Sequence, residues 1–236
     1  MIPLKDDIPV RHTPVVTVAL LVLNVAAFAW QLGFGPPDAP LDARLGLSAQ
    51  IGGAIPYELL TFRDVGPRDL VPPPFTILTS MFLHGGFLHL GGNMLFLWVF
   101  GNNVEDELGR GRFVLFYLGS GVAAAVAQAL LSAAAGDLLI PMVGASGAIA
   151  GVLAAYMVLF PRARVLTAIP IFVIIRLVHI PAGFFIGLWF ALQVLYALAG
   201  GTGSGVAFFA HVGGFVFGWL VIKLRARHGH SPAAVR

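Results

Sequence analysis

The sequence predicts an all-α membrane protein, a bundle of six transmembrane helices with both termini in the cytoplasm. Three observations predict it. The chain is 58% apolar and only 11% charged, where an average soluble domain carries roughly 25% charged residues. The apolar residues gather into runs near 13–32, 87–104, 113–135, 142–160, 181–198 and 206–222, and about 20 such residues cross a hydrocarbon core roughly 30 Å thick. With the N-terminus inside, the cytoplasmic segments hold Lys5, Arg11, Arg110, Arg112, Arg162, Arg164, Arg176, Lys223, Arg225, Arg227 and Arg236. Only Arg44, Arg63 and Arg68 of the 14 Lys and Arg remain outside, as the positive-inside rule requires.

Taken in order, residues 1–12 form a cytoplasmic segment, 13–222 the membrane domain and 223–236 a short basic tail, read as disordered. Ala27-Phe28-Ala29 looks like a signal-peptide cleavage site, but Asp6 and Asp7 beside Lys5 and Arg11 do not make a basic leader, so the first run is read as a retained span. The long 33–77 stretch mixes prolines and acidic residues with the apolar LGLSAQIGGAIPYELL, which places it partly in the outer membrane interface. The second and sixth spans are diluted by Gly, His and Asn, and glycine in membrane helices allows close backbone approach. The segment VLTAIPIFVIIRLVHI (165–180) is read as an interfacial lead-in to the fifth span, because a crossing would leave Arg176 in lipid. No internal repeat stands out. The absence of cysteine excludes disulfides and thiolate catalysis, and no basic helix or aromatic-basic motif suggests nucleic acid.

Polar groups inside spans are expensive and mark function. Here they are His84, His89 and Asn93 in HGGFLHLGGN, Ser146 in the Gly-x-Ser-Gly of Gly144–Gly147, and His211 in AHVGG. Spans two, four and six all start at the outer face, so the topology brings these groups to one depth. Ser146 is the candidate nucleophile, with Gly144 and Gly147 leaving room for a substrate backbone. His211 is the candidate general base. Gly214 and Gly218 share its helical face and can press against Gly147 and Gly151, drawing the two residues together. His89 and Asn93, four residues apart, lie on one face and can donate hydrogen bonds without adding fixed charge. With the Ser146 amide they would hold an oxyanion.

The bland readings remain beside these. A serine in a membrane helix can simply bond back to a carbonyl, and a histidine can be interhelical glue. A metal site from His84, His89 and His211 lacks the carboxylate or spacing of H-E-x-x-H. No acid flanks His211 and the nearest to Ser146 is Asp137, which predicts a Ser–His dyad rather than a triad.

These motifs resemble those of the rhomboid family of intramembrane serine proteases. The resemblance runs from about 51 to 220 and rests on TSMFLHGGFLHLGGNM (79–94), GNNVEDELGRGRF (101–113), GASGAIAG (144–151) and AHVGGFVFG (210–218). It implies Ser146 as nucleophile, His211 as base, His89 and Asn93 as oxyanion support, and accessory places for His84 and Gly144. Glu105 matches an acidic position read as architectural. It further implies a water-accessible site open to the outside, no cofactor, and transmembrane protein substrates cut near the outer surface where their helices unwind. Two departures stand out. The first outer loop lacks the Trp-Arg of many members, the tryptophans being Trp30, Trp98, Trp189 and Trp219. The aromatic often found four residues after the serine is here Ala150.

The resulting expectation is an intramembrane serine endopeptidase embedded in a lipid bilayer. A bacterial-type plasma membrane is expected, since the sequence shows neither a transit-peptide pattern nor a large appended domain. The alternatives are a catalytically silent client-binding relative and a solute or metal transporter, the latter disfavoured by the lack of repeated halves. The substrate and the oligomeric state are not encoded legibly.

Overall fold

Helix α1 (Val15–Leu32) starts behind Pro14, which has no side chain to satisfy the first-turn amides. Glu105, from a distant part of the chain, does so instead. Its carboxylate accepts from the amides of Val16 (2.9 Å) and Thr17 (2.7 Å) and from the Thr17 hydroxyl (2.8 Å). An anion at a helix N-terminus is favoured by both the free amides and the helix dipole. Glu105 is therefore a long-range cap, consistent with the architectural reading. The computed structural model describes residues 1–65, 71–199 and 207–227. Arg68, Arg236 and the tail beyond 227 lie outside the described residues.

The long segment after α1 folds into α2 (Leu41–Gly52), α3 (Pro56–Thr61) and α4 (Pro73–Ser80). The run expected as the second span is an unbroken helical stretch made of α5 (Phe87–Phe96), a π-turn (Leu97–Gly101) and α6 (Asn102–Leu108), roughly 33 Å long at 1.5 Å per residue. Then follow α7 (Arg110–Ala135), ended by Gly136 in the left-handed region, and α8 (Ser146–Leu159). The last two helices are α9 (Ala182–Leu198) and α10 (Phe208–Arg227). Among the described residues α1, α7 and α10 are each long and apolar enough to cross a membrane, while α8 and α9 are apolar but shorter.

Helix α8 is the hub. Its residues from Gly147 to Tyr156 are buried without interruption, as expected of a helix that is apolar all round. It lies against α7 and α10, and its small residues set the distance. A β-carbon on Gly151 would meet the Ser120 side chain and stand 3.1 Å from the Gly214 carbonyl oxygen. One on Gly218 would stand 2.7 Å from the Gly151 Cα. The expected Gly147/Gly151 against Gly214/Gly218 contact is thus present. The rest of the core is large and aromatic: Leu97, Phe100, Phe113, Tyr117, Leu153 and Tyr156 are fully buried.

Three expectations need correction. The fold is not purely α, because β1 (Ile2–Asp6), β2 (Arg164–Ile171) and β3 (Ile174–Pro181) form an antiparallel sheet in the order β1-β2-β3. The segment read as an interfacial lead-in is the β2–β3 hairpin, in register from Arg164↔Pro181 to Ile171↔Ile174. Its Val and Ile content favours strands, and β1 supplies a pairing partner that no local pattern announces. Second, span four begins as a helix only at Ser146. Gly144 has φ +123°, outside helical geometry, and Met142 pairs instead with Ala54 in an isolated bridge. Third, α10 continues past Lys223 to Arg227, so the described start of the tail is helical, with basic residues in the last turn where the dipole favours them.

Candidate active site

The chain enters α8 through an extended segment pinned from outside the helix bundle. The Gly144 amide donates to the Ser80 carbonyl (2.8 Å), Met142 exchanges backbone bonds with Ala54, and the Tyr57 amide donates to Leu138 (2.9 Å). The α2–α4 segment therefore fixes the stretch of chain that delivers Ser146. Ser146 is the first residue of α8, so its amide and those of the next residues belong to the helix-start set with no intrahelical partner.

His211 comes from the first turn of α10. Its Nε2 lies 2.7 Å from the Ser146 Oγ, although 65 residues separate the two in sequence. Gly147, Gly214 and Ala124 bring the helices close enough for this: a β-carbon on Gly214 would stand 2.9 Å from the Gly147 carbonyl carbon and 3.5 Å from the Ala124 Cβ. Gln128 on α7 steadies the start of α10 by accepting the Ala210 amide (3.1 Å). The other ring nitrogen of His211, Nδ1, lies 2.7 Å from Gln193 Oε1 on α9. The ring of Trp189, one turn earlier on α9, packs against the imidazole at 5.6 Å between centroids, tilted by 41°. With Ala150 buried in the core, the aromatic neighbours of His211 are Trp189 of α9 and, edge-on at 6.4 Å, Phe208 of α10.

His89 and Asn93 project from α5 toward the same place. The Gly85 amide donates to His89 Nδ1 (3.3 Å), which puts the proton of the neutral ring on Nε2. That nitrogen faces Gly144, where a β-carbon would stand 2.7 Å away. Asn93 is buried and its Nδ2 has no partner among the described residues, an orphan donor of the kind that calls for an explanation. His84 stands behind His89, ring centroids 5.1 Å apart and edge-on. Its backbone is clamped by Gln31, which accepts the His84 amide (2.8 Å) and donates to the His84 carbonyl (3.2 Å).

A cavity of about 570 Å³ joins these groups, lined by His89, Asn93, Ser146, Trp189, Gln193 and His211 among others. It is large enough to admit an extended stretch of peptide. Among the described residues no group of three His, Asp or Glu is arranged to hold a metal. The arrangement offers a hydroxyl hydrogen-bonded to an imidazole, beside a helix start and two side-chain N–H donors. Groups so arranged can serve as a nucleophile, a base and an anion site within one cavity.

All four principal candidates, Ser146, His211, His89 and Asn93, meet at this cavity. Gly144 lies against His89, and His84 is packed one layer away. The sequence reading missed Gln193, Trp189, Gln31 and Gln128. Gln193 and Gln128 carried the same signal as the histidines, a polar side chain inside an apolar span. Trp189 carried none, because a tryptophan in a membrane helix is unremarkable until its neighbour is known.

The family model of the Rhomboid domain matches residues 73–228. Rhomboid protein 1, mitochondrial, of Saccharomyces cerevisiae is 32% identical over 221 residues, covering 90% of this chain and 55% of its own length. Presenilin-associated rhomboid-like protein A, mitochondrial, of Danio rerio is 34% identical over 150 residues, 61% of this chain and 36% of its own. Rhomboid protease GluP of Bacillus subtilis is 43% identical over 79 residues, 34% of this chain and 14% of its own. The chain thus spans about half the length of these curated relatives or less.

Proposed function

Because the chain belongs to the rhomboid family of integral membrane proteins, we propose that it is an intramembrane serine endopeptidase working through Ser146 and His211. The observation that carries this reading is the 2.7 Å bond between Ser146 Oγ and His211 Nε2, at a helix start inside a cavity. The protease named among its relatives, GluP, adds support.

In the proposed reaction His211 Nε2 takes the Ser146 hydroxyl proton as Oγ attacks the scissile carbonyl carbon. The oxyanion of the tetrahedral intermediate is held by the Ser146 amide, His89 Nε2–H and Asn93 Nδ2–H. The imidazolium returns its proton to the departing amine as the C–N bond breaks, leaving an acyl ester on Ser146. Water, deprotonated by His211, then hydrolyses the ester and frees the serine. No cofactor enters these steps. Substrates are transmembrane proteins, cut where the helix unwinds, since an intact helix shields its peptide bonds.

We place six spans in the bilayer: α1, the run from Phe87 to Leu108, α7, α8, α9 and α10. Both termini face the cytoplasm, on the basic-residue distribution. The cavity then opens to the opposite side. A bacterial-type plasma membrane is our proposed location. The mitochondrial names of the yeast and zebrafish relatives favour a mitochondrial membrane as the second reading, and fractionation of the source cells decides between them.

The test is cleavage of a transmembrane-segment reporter by the purified full chain in liposomes, comparing wild type with Ser146→Ala and His211→Ala, with and without a chelator. Cleavage lost in both variants and indifferent to chelator supports the dyad. Activity surviving Ser146→Ala overturns it. Intact reporter binding without cleavage by wild type favours the silent client-binding alternative.

A further inference from the structure

We infer that Gln193 is the positioning residue of the Ser146–His211 pair, its side-chain carbonyl fixing the tautomer and orientation of the imidazole. The inference rests on the serine-protease reading and adds to it a third member that is neither an acid nor part of the dyad. The geometry is direct. Gln193 Oε1 lies 2.7 Å from His211 Nδ1, and Ser146 Oγ lies 2.7 Å from Nε2 on the opposite edge of the ring. An amide oxygen can only accept, so Nδ1 carries the proton. Nε2 is then left with its lone pair toward the serine hydroxyl. That is the tautomer a general base needs. With the proton on Nε2 instead, the ring would donate to Oγ and its remaining lone pair, on Nδ1, would face the Gln193 oxygen and not the serine.

The sequence around Gln193 fits the task. Trp189 is one helical turn before it on α9 and packs against the face of the same imidazole, so one helix grips both the edge and the face of the ring. Helix α9 is itself anchored on α10 by the stacked pair Phe190–Phe215, 4.0 Å between centroids and 17° apart. A carboxylate in this place would stabilise the imidazolium more, but would also put a permanent charge in a largely apolar surrounding. The amide orients the ring without that cost. Other protease triads tolerate the same exchange, with Asn orienting the histidine.

The test uses the purified full chain in liposomes with a transmembrane-segment reporter, reading kcat, KM and the pH profile for wild type, Gln193→Leu and Gln193→Glu. The titratable groups His89 and Asp137, which line the same cavity, are unchanged throughout. Gln193→Leu keeps the bulk but loses the acceptor, and is expected to lower kcat by on the order of 10- to 100-fold with KM nearly unchanged. Gln193→Glu restores the acceptor and hence cleavage. Its added carboxylate favours the protonated imidazole, which cannot accept a proton, so the acidic limb of the profile moves to higher pH. A purely structural role would not move that limb. Should Gln193→Leu fail to fold, the Gln193→Glu profile decides alone. Wild-type kcat in a folded Gln193→Leu, or a Gln193→Glu profile superimposable on wild type, overturns the inference. Failure of wild type to cleave, together with no reaction of Ser146 with a fluorophosphonate, overturns the protease reading, and Gln193 with it.

Discussion

The imidazole of His89 rests on the bare α-carbon of Gly144: a β-carbon there would stand 2.7 Å from His89 Nε2 and 2.8 Å from Cε1. Gly144 also has φ +123°, a conformation that residues with a β-carbon rarely adopt. Both constraints fall two residues before Ser146. Gly144→Ala is therefore expected to push His89 away and distort the approach to α8, lowering kcat about 100-fold or more. The bulk of the helix bundle is untouched, so thermal unfolding in detergent should move by only a few degrees. Near-wild-type cleavage by Gly144→Ala would show that the His89–Gly144 contact is dispensable.

Asn93 offers a buried donor with no partner among the described residues. If that donor waits for the oxyanion, Asn93→Ala removes an interaction made mainly in the transition state. The expected result is a kcat lower by about 10²-fold with KM little changed. Unchanged kcat in steady-state assays of the reporter would rule the donor out.

At the α8–α10 contact, a β-carbon on Gly218 would lie 2.7 Å from Gly151 Cα and 2.8 Å from its carbonyl carbon. These are backbone atoms that cannot swing aside. Gly218→Ala should force the helices apart and destabilise the bundle by about 1–3 kcal/mol. Activity should fall as well, because the same helix pair sets the Ser146–His211 distance. Measuring the unfolding midpoint beside kcat tests this, and an unaltered midpoint contradicts it.

On the opposite side, Asp6 of β1 is buried. It accepts from the Tyr156 hydroxyl (2.6 Å) and from the Asn103 side-chain amide. Burial pushes its carboxyl up from 3.8 to about 6, outweighing the lowering effect of the Tyr156 bond. The unfolded chain gives up this proton near pH 4 and the folded chain only near pH 6. Between these values the native state holds the extra proton, and stability falls as pH rises. Above about pH 6 the full penalty is present, about 3 kcal/mol for a shift of this size. Lowering the pH from 7 to 5 should therefore raise the unfolding midpoint of wild type relative to Asp6→Asn, which lacks the titration. Parallel pH dependence in the two proteins would exclude this role for Asp6.

Much of the candidate site was legible because lipid makes polar residues conspicuous. His89, Asn93, Ser146 and His211 stand out in runs that otherwise hold mostly apolar side chains, and His84 stands just before one of them. Read as six alternating spans, three of the helices start at the same face. Gln193 and Gln128 satisfy the same criterion, but an amide neither attacks nor takes a proton, so its role shows only beside the group it holds. The hairpin was harder to read. In 165–180 an apolar, β-branched run fits an interfacial segment as well as a strand, and the deciding fact is the pairing Ile2↔Ala168 through Asp6↔Val165. That pairing joins residues more than 150 positions apart. Likewise, nothing around Met142 announces its bridge to Ala54, which keeps 142–145 out of the helix that the apolar run suggests.

The sequence by itself determined where the apolar segments lie, which residues carry reactive groups, and which family the chain joins. Those properties are local: they depend on side-chain type and on spacing along one helix. The tertiary structure decided how the groups meet, because distances between helices depend on packing. Small residues at Gly147, Gly151, Gly214 and Gly218 let α8 and α10 approach until Ser146 Oγ and His211 Nε2 stand 2.7 Å apart. Glu105 caps a helix it does not belong to. Only the seating of α9 against α10 decides that the partner of His211 Nδ1 is Gln193, a choice that no reading of α9 or α10 alone contains.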